Sequence, residues 1–281
     1  MKHRNLFINY AFPALATLAL ISCGDGNTTS ETATTDTAQK VATPIVSIAD
    51  FPSSVEFNEA KLAMEDVKVE EQGTDSVKLT FNFKVSNYEL KAQTTDAESM
   101  QCNNSKDGQH IHFIMDNAPY KALYEPKNQV TLAKNSEHSL VAFLSRSYHQ
   151  SIKSPGAALL YNFKIDEKGK LQKMATPTTP MLTYSRPKGD YLGKDIENLL
   201  LDFYLWNATL GTDYTVKAQV TGDGVDTAFI LNEWKSYLLK NLPLGSNTIK
   251  LTLLDKAGNK VEGVSTEISR TIKLATDEPM K

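Results

Sequence analysis

Apart from His3, every histidine of the chain lies between residues 110 and 149: His110, His112, His138 and His149. In GQHIHFIMDN, starting at Gly108, His110 and His112 flank Ile111 in a segment whose pattern predicts a strand. At the period of two of a strand, both imidazoles project from one face with Ile114 and Asp116, while Ile111, Phe113 and Met115 take the other. Two imidazoles so placed can share a metal ion if the fold brings further ligands, for which His149, His138, Asp116 and Cys102 are the candidates. Imidazole-rich ligation suits Zn(II) or Cu(II) better than Ca(II) or Mg(II). The plainer alternative is a pair of packed or solvent-facing side chains.

A second constellation is Ser145-Arg146-Ser147-Tyr148-His149-Gln150-Ser151. A guanidinium donates two parallel bonds to a carboxylate or phosphate, and hydroxyls complete such a shell. Arg146, Ser145, Ser147 and His149 are therefore candidate anion-binding residues, against the plainer reading of an exposed polar hairpin. Catalytic signatures are missing: the chain has no Gly-x-Ser-x-Gly, no His-Glu-x-x-His, no Cys-x-x-Cys and no Gly-rich phosphate loop. The expectation is a non-catalytic protein, with metal-dependent chemistry at the histidines as the one route to an enzyme.

The elements that must hold these residues read as strands. Val77, Leu79, Phe81, Phe83 and Val85 alternate with Lys78, Thr80, Asn82 and Lys84. Between Glu59 and Glu71 the apolar residues Leu62, Met64, Val67 and Val69 alternate with one slip, which predicts a bulge. Thr248 to Leu253 alternates likewise before the hairpin signal Asp255 to Lys260, and Glu233 to Lys240 suits either a short helix or an aromatic strand. Strand pairs separated by turn signals predict an all-β fold of two tandem β-sandwiches of the immunoglobulin or fibronectin type III class.

An internal repeat supports the tandem. Residues 62–87 align without gaps to 182–207 at an offset of 120, matching Gly73 with Gly193, Phe83 with Phe203 and Asn87 with Asn207. Residues 138–165 align to 247–274 at an offset of 109, matching Leu144 with Leu253 and Ile152 with Val261. The expected divisions are a first, histidine-containing sandwich over 50–174, a linker over 175–180 (ATPTTP) and a second sandwich over 181–281. Residues that support the fold should recur between copies. His138 and His149 do not: Asn247 and Gly258 stand in their places.

The start of the chain has a different task. Lys2, His3 and Arg4 precede an apolar stretch from Phe12 to Ile21, and Leu20-Ile21-Ser22-Cys23 resembles a bacterial lipobox. Residues 1–22 are thus expected to be a lipoprotein signal peptide, Cys23 the lipidated residue, and 23–49, rich in Thr, Ser and Asp, a flexible tether. Several acyl chains, at about 0.8 kcal/mol per buried methylene, suffice for membrane anchoring. Gly24 replaces the Asp that commonly retains lipoproteins at the inner membrane, which directs the expectation to the outer membrane, on its periplasmic side or at the cell surface. Cleavage would remove Lys2 and Arg4 and no acid, so the net charge of −3 becomes −5. With no basic excess, nucleic acid is not an expected partner. Cys102 would then be the only thiol left, without an intramolecular disulfide partner.

GQHIHFIMDNAPYKALYEP and LVAFLSRSYHQSIKSPGA, with Trp234-Lys235-Ser236-Tyr237 and Leu242-Pro243-Leu244-Gly245, resemble segments of a group of Bacteroidetes lipoproteins, some called phosphopeptide-binding proteins. The resemblance covers most of the chain after Cys23. It implies binding rather than catalysis, a peptide or protein partner, and an anion clamp around Arg146. Two readings of function follow. In one, the first sandwich of an anchored envelope protein binds a transition metal or an anionic group while the second serves as spacer or docking surface. In the other, both sandwiches are structural or assembly blocks of an outer-membrane complex.

Overall fold

The structure is a computed structural model and describes residues 45–277; the expected signal peptide, Cys23 and most of the expected tether lie outside them. In chain order the strands are β1 (Ser47–Asp50), β2 (Lys61–Gln72), β3 (Ser76–Ser86), β4 (His110–Met115), β5 (Lys121–Leu123), β6 (Lys127–Ala133), β7 (Ser136–Ser145), β8 (Ala158–Ile165) and β9 (Leu171–Lys173). They continue with β10 (Met181–Arg186), β11 (Asp190–Leu192), β12 (Leu199–Trp206), β13 (Tyr214–Gly222), β14 (Val225–Leu231), β15 (Tyr237–Lys240), β16 (Gly245–Asp255) and β17 (Glu267–Ala275). The ambiguous segment after Glu233 is therefore a strand, and the helical content among the described residues is two one-turn 3-10 helices.

The first sandwich sets the sheet β2-β3-β6 against β5-β4-β7-β8-β9, and the second sets β1-β15-β12-β10 against β11-β17-β16-β13-β14. In each copy the first, second and fifth principal strands form one sheet, and the third, fourth, sixth and seventh form the other. This is the arrangement of the immunoglobulin and fibronectin type III class. Val77, Leu79, Phe81 and Phe83 of β3 meet Ile111, Phe113, Leu140, Leu144 and Phe163 in the first core. Leu199, Leu201, Phe203 and Leu205 of β12 meet Val216, Ala218, Ile249 and Leu251 in the second.

The repeat holds at the level of strand register. Leu62 pairs with Val85 and Leu182 with Leu205; the register slips between Met64 and Asp66 in one copy and between Tyr184 and Arg186 in the other. Both relations keep the offset of 120. At the offset of 109, His138 pairs with Phe163 and Asn247 with Ile272. The loop after each of these strands closes through the same backbone bonds, Arg146 N–H to Gln150 O (3.0 Å) and Asp255 N–H to Asn259 O (2.8 Å). The bulge thus sits at the same place in both copies, although their side chains differ.

One boundary differs from expectation. Ser47–Asp50, placed at the end of the tether and the start of the first sandwich, pairs antiparallel with β15 and extends the second sandwich. Val46 and Ile48 supply the reason, because both pack on the second core. The chain therefore enters through the second sandwich, builds the first, and returns. Between β9 and β10 no strand forms in ATPTTP, as two prolines in six residues require.

A third apolar cluster joins the copies: Ile114, Tyr120, Val141 and Phe143 of the first pack with Tyr204 of the second, flanked by Trp206 and Trp234. Phe143 and Tyr204 stack with ring centroids 5.2 Å apart. Consequently the face of β4 and β7 that points away from the first core is covered rather than wet, and the histidines of β4 are sealed beneath the second copy.

Candidate metal centre

β4 places His110 and His112 on one face, and the loop after β7 brings back His149; all three are buried. One ring nitrogen from each lies within 4.8 Å of the others. His110 Nε2 is 3.0 Å from His112 Nε2 and 3.1 Å from His149 Nδ1. A tetrahedral ion with arms of about 2.0–2.1 Å separates its ligand atoms by roughly 3.4 Å, and the two separations at His110 lie within a few tenths of an ångström of that value.

The remaining ring atoms are oriented from outside. His110 Nδ1 donates to the carbonyl of Gly108 at 2.8 Å, which leaves Nε2 with a bare lone pair toward the cluster. His112 Nδ1 lies 3.1 Å from Ser185 Oγ, a residue of the second sandwich. Outer partners of this kind fix tautomer and ring orientation at metal sites. Tyr120 stacks face to face on His112 at 3.6 Å, and its hydroxyl lies 3.2 Å from His149 Nδ1.

Burial is the main cause holding all three imidazoles neutral. It lowers His110 to about 4, against the opposing bond to Gly108, with Arg186 and Lys188 adding their repulsion. Burial, then His110 and His149, then the same two cations push His112 well below its ordinary value, and burial, then Arg186, His110 and Lys188 do the same to His149. The site thus presents three neutral imidazoles, the charge state a transition metal requires, with the bare nitrogen fixed at His110 Nε2 by the Gly108 carbonyl behind it.

The second copy supplies these cations. Arg186 donates from Nη1 to Tyr191 Oη at 2.9 Å, and its guanidinium carbon lies 5.3 Å from the centre of the Tyr120 ring. Arg186 Nε is buried without a partner. Lys188 donates to the Tyr120 carbonyl at 2.6 Å, with Nζ 4.2 Å from the ring centre. A cavity of about 10 Å³, lined by Tyr148, His149, Arg186 and Tyr191 among others, adjoins His149.

His149 itself sits at φ 69°, and its counterpart Gly258 at φ 82°. The first copy therefore holds a bulky imidazole in a left-handed conformation that the second assigns to glycine. Such strain, of order 1–3 kcal/mol, persists where the surroundings over-determine it and clusters at functional sites.

Other expected ligands lie elsewhere. His138 is in β7, where Nδ1 meets Asp116 at 2.7 Å and Nε2 meets Ser136 at 2.8 Å; Asp116 also accepts the Ser139 N–H. The pair satisfies itself and does not join the cluster. Cys102 also stays outside it, with its thiol pushed up to about 12, chiefly by burial.

The anion clamp is not built as expected, because its donors are spent on the protein's own backbone. Arg146 gives Nε and Nη2 to the Val55 carbonyl at 3.2 and 2.6 Å, and Nη1 approaches Ser151 O at 3.5 Å. Ser145 Oγ donates to the carbonyl of Arg146, and Ser147 Oγ accepts the Thr94 N–H. Ser145 to His149 is buried throughout, not an exposed hairpin. The loop instead locks the two copies together: fully buried Asp202 accepts from Ser151 Oγ (3.0 Å), Lys153 Nζ (2.7 Å) and Ser236 Oγ (2.8 Å).

Sequence patterns missed the residues contributed by the second copy, namely Ser185, Arg186, Lys188 and Asp202. A signal was present: β10 and β12 carry apolar residues on both faces, as in MLTYSR and LLLDFYLW, and two-faced strands are covered on both sides.

These features define the class of protein: two immunoglobulin-like sandwiches in tandem with a buried three-histidine cluster at their junction. No protein-family model matches the chain, and no curated protein matches it. Among solved structures it is similar to the fibronectin(III)-like modules of Clostridium thermocellum CbhA, at 13% identity over 75% of this chain and 95% of that one, with a TM-score of 0.27. The chicken CNTN1 FN1-FN3 domains match at 10% identity over 79% of this chain and 67% of theirs (TM-score 0.25). A two-domain fibronectin type III segment from chicken tenascin matches at 12% over 76% and 98% (TM-score 0.21).

Proposed function

We propose that this chain is a lipid-anchored envelope protein that binds one transition metal ion at His110, His112 and His149. The observation that carries the reading is the convergence of three neutral ring nitrogens within 4.8 Å, one of them aimed inward by a carbonyl behind it. A metal ion would take the place of the imidazole hydrogen bonds that now join these nitrogens, and the left-handed conformation that brings His149 to them is one the second copy gives to glycine. With three imidazoles and no carboxylate among the converging groups, Zn(II) and Cu(II) are the ions of choice. The second sandwich completes the site by covering it and by orienting His112 through Ser185.

The test is metal analysis of the full chain purified without a His tag and dialysed against Zn(II). One ion per chain is expected, lost in the His110→Ala, His112→Ala variant. Substoichiometric metal, or metal unchanged in that variant, would leave a structural module whose histidines merely pack. Anchoring rests on the lipobox-like Leu20-Ile21-Ser22-Cys23. Incorporation of labelled palmitate should vanish in Cys23→Ala, and its persistence would overturn that part.

A further inference from the structure

We propose that the small cavity at the junction, between Arg186 and Tyr191, is a halide site that binds one chloride ion and thereby compensates charge buried by the second copy. Arg186 is only 7% exposed, yet among the described residues no carboxylate pairs with it. The other cation inside the junction is treated differently, since Lys153 has the Asp202 carboxylate at 2.7 Å. Lys188, over the same Tyr120 ring as Arg186, adds a second positive charge. A buried cation with no counter-charge is destabilising, so an anion from solution has a place here. The site needs no metal ion at the histidines.

The donors call for an acceptor that the chain does not supply. Arg186 Nη1 donates to Tyr191 Oη at 2.9 Å, while Nε is buried without a protein partner. Tyr191 Oη also accepts the Lys188 N–H at 3.0 Å. With both lone pairs taken, the phenol hydrogen is left to donate. Arg186 and Tyr191 of the second copy line the cavity together with Tyr148 and His149 of the first, and no carboxylate lines it. Its volume of about 10 Å³ is room for one group near the size of a water molecule. Phosphate, sulfate and carboxylates are too large. A water would satisfy the donors and leave the charge uncompensated, whereas a monoatomic anion meets both demands, because bonds to an ionised acceptor are about twice as strong as neutral ones. Held against both copies, the ion stabilises their junction.

The test has two readouts on the untagged, metal-free full chain. Crystals grown in sodium chloride are measured at a long wavelength, where chloride scatters anomalously and water does not. One peak is expected within hydrogen-bond reach of Arg186 Nε and Tyr191 Oη. In solution, chloride replaces gluconate at constant ionic strength. The melting temperature should rise by about 2 °C or more and saturate, and Arg186→Gln should abolish the rise. Tyr191→Phe should shift saturation to several-fold higher chloride. A cavity without an anomalous peak, or a rise unchanged in Arg186→Gln, would overturn the proposal. A peak with no rise in the wild-type chain would mark an adventitious ion only and overturn it as well. Both wild-type readouts decide the matter even if Arg186→Gln does not fold, and neither depends on metal uptake.

Discussion

The two sandwiches share strand order, pairing register, bulge position and the closure of the loop after their sixth principal strand, yet one face of the same sheet serves opposite ends in each. In the first copy, β4 presents His110 and His112 to the junction, sealed under β10 and β12. Matched through their pairing with β7 and β16, the same positions of β13 hold Thr215 and Lys217, half-exposed. Where the first copy strains His149, the second relaxes with Gly258. The second copy builds the same sandwich with no imidazole at any of the three positions, two of which are half-exposed there instead of buried.

That comparison can be broken first at its junction. Asp202 is fully buried against Lys153, Ser151 and Ser236, whereas its counterpart Asn82 is half-exposed. Asp202→Ala strands Lys153 and should cost about 3–5 kcal/mol in denaturant unfolding, while Asn82→Ala should cost within about 0.5 kcal/mol. Equal losses would show that the copies are joined less tightly than the buried carboxylate implies.

A second contrast is pH. The folded imidazoles are depressed, His110 to about 4, so between there and the unfolded value of 6.5 the unfolded chain binds protons that the folded chain refuses. Metal-free stability should be complete above pH 6.5 and fall as pH drops toward 4, by about 1.4 kcal/mol per unit for His110 alone. In a His110→Gln, His112→Gln, His149→Gly variant this decline should flatten. A decline of unchanged slope would assign the acid sensitivity to other groups.

The smallest effect exchanges the two loop positions. His149→Gly relieves the left-handed strain while losing packing, and should move metal-free stability by no more than about 1 kcal/mol as it weakens metal uptake. Gly258→His, where an added Cβ meets nothing within 4 Å, should cost about 1 kcal/mol and create no binding. A large loss from His149→Gly, with metal uptake intact, would make His149 a packing residue.

Much of this architecture was legible in the chain. The slip between Met64 and Val67 became the bulge at Met64 and Asp66, and the gapless alignments at 120 and 109 became shared registers. Period-two alternation reports which residues share a face, and His110 and His112 do share one, to which the loop after β7 brings His149. What alternation cannot report is what covers a face. Arg146 was expected to hold an anion, because nothing local to SRSYHQS shows that the Val55 carbonyl, 91 residues away, takes its donors. His138 and Asp116 were expected as ligands, because strand parity does not separate a self-satisfied pair from an open one. Ser185, Arg186 and Lys188 enter only when the second copy closes over the first.

The central claim is tested most directly by crystals of the chain soaked with Zn(II) or Cu(II) and measured at the metal's absorption edge. A single anomalous peak is expected, with ring nitrogens of His110, His112 and His149 at about 2.0–2.1 Å from it. An empty cluster, or a peak seated instead at His138 and Asp116, would contradict the account.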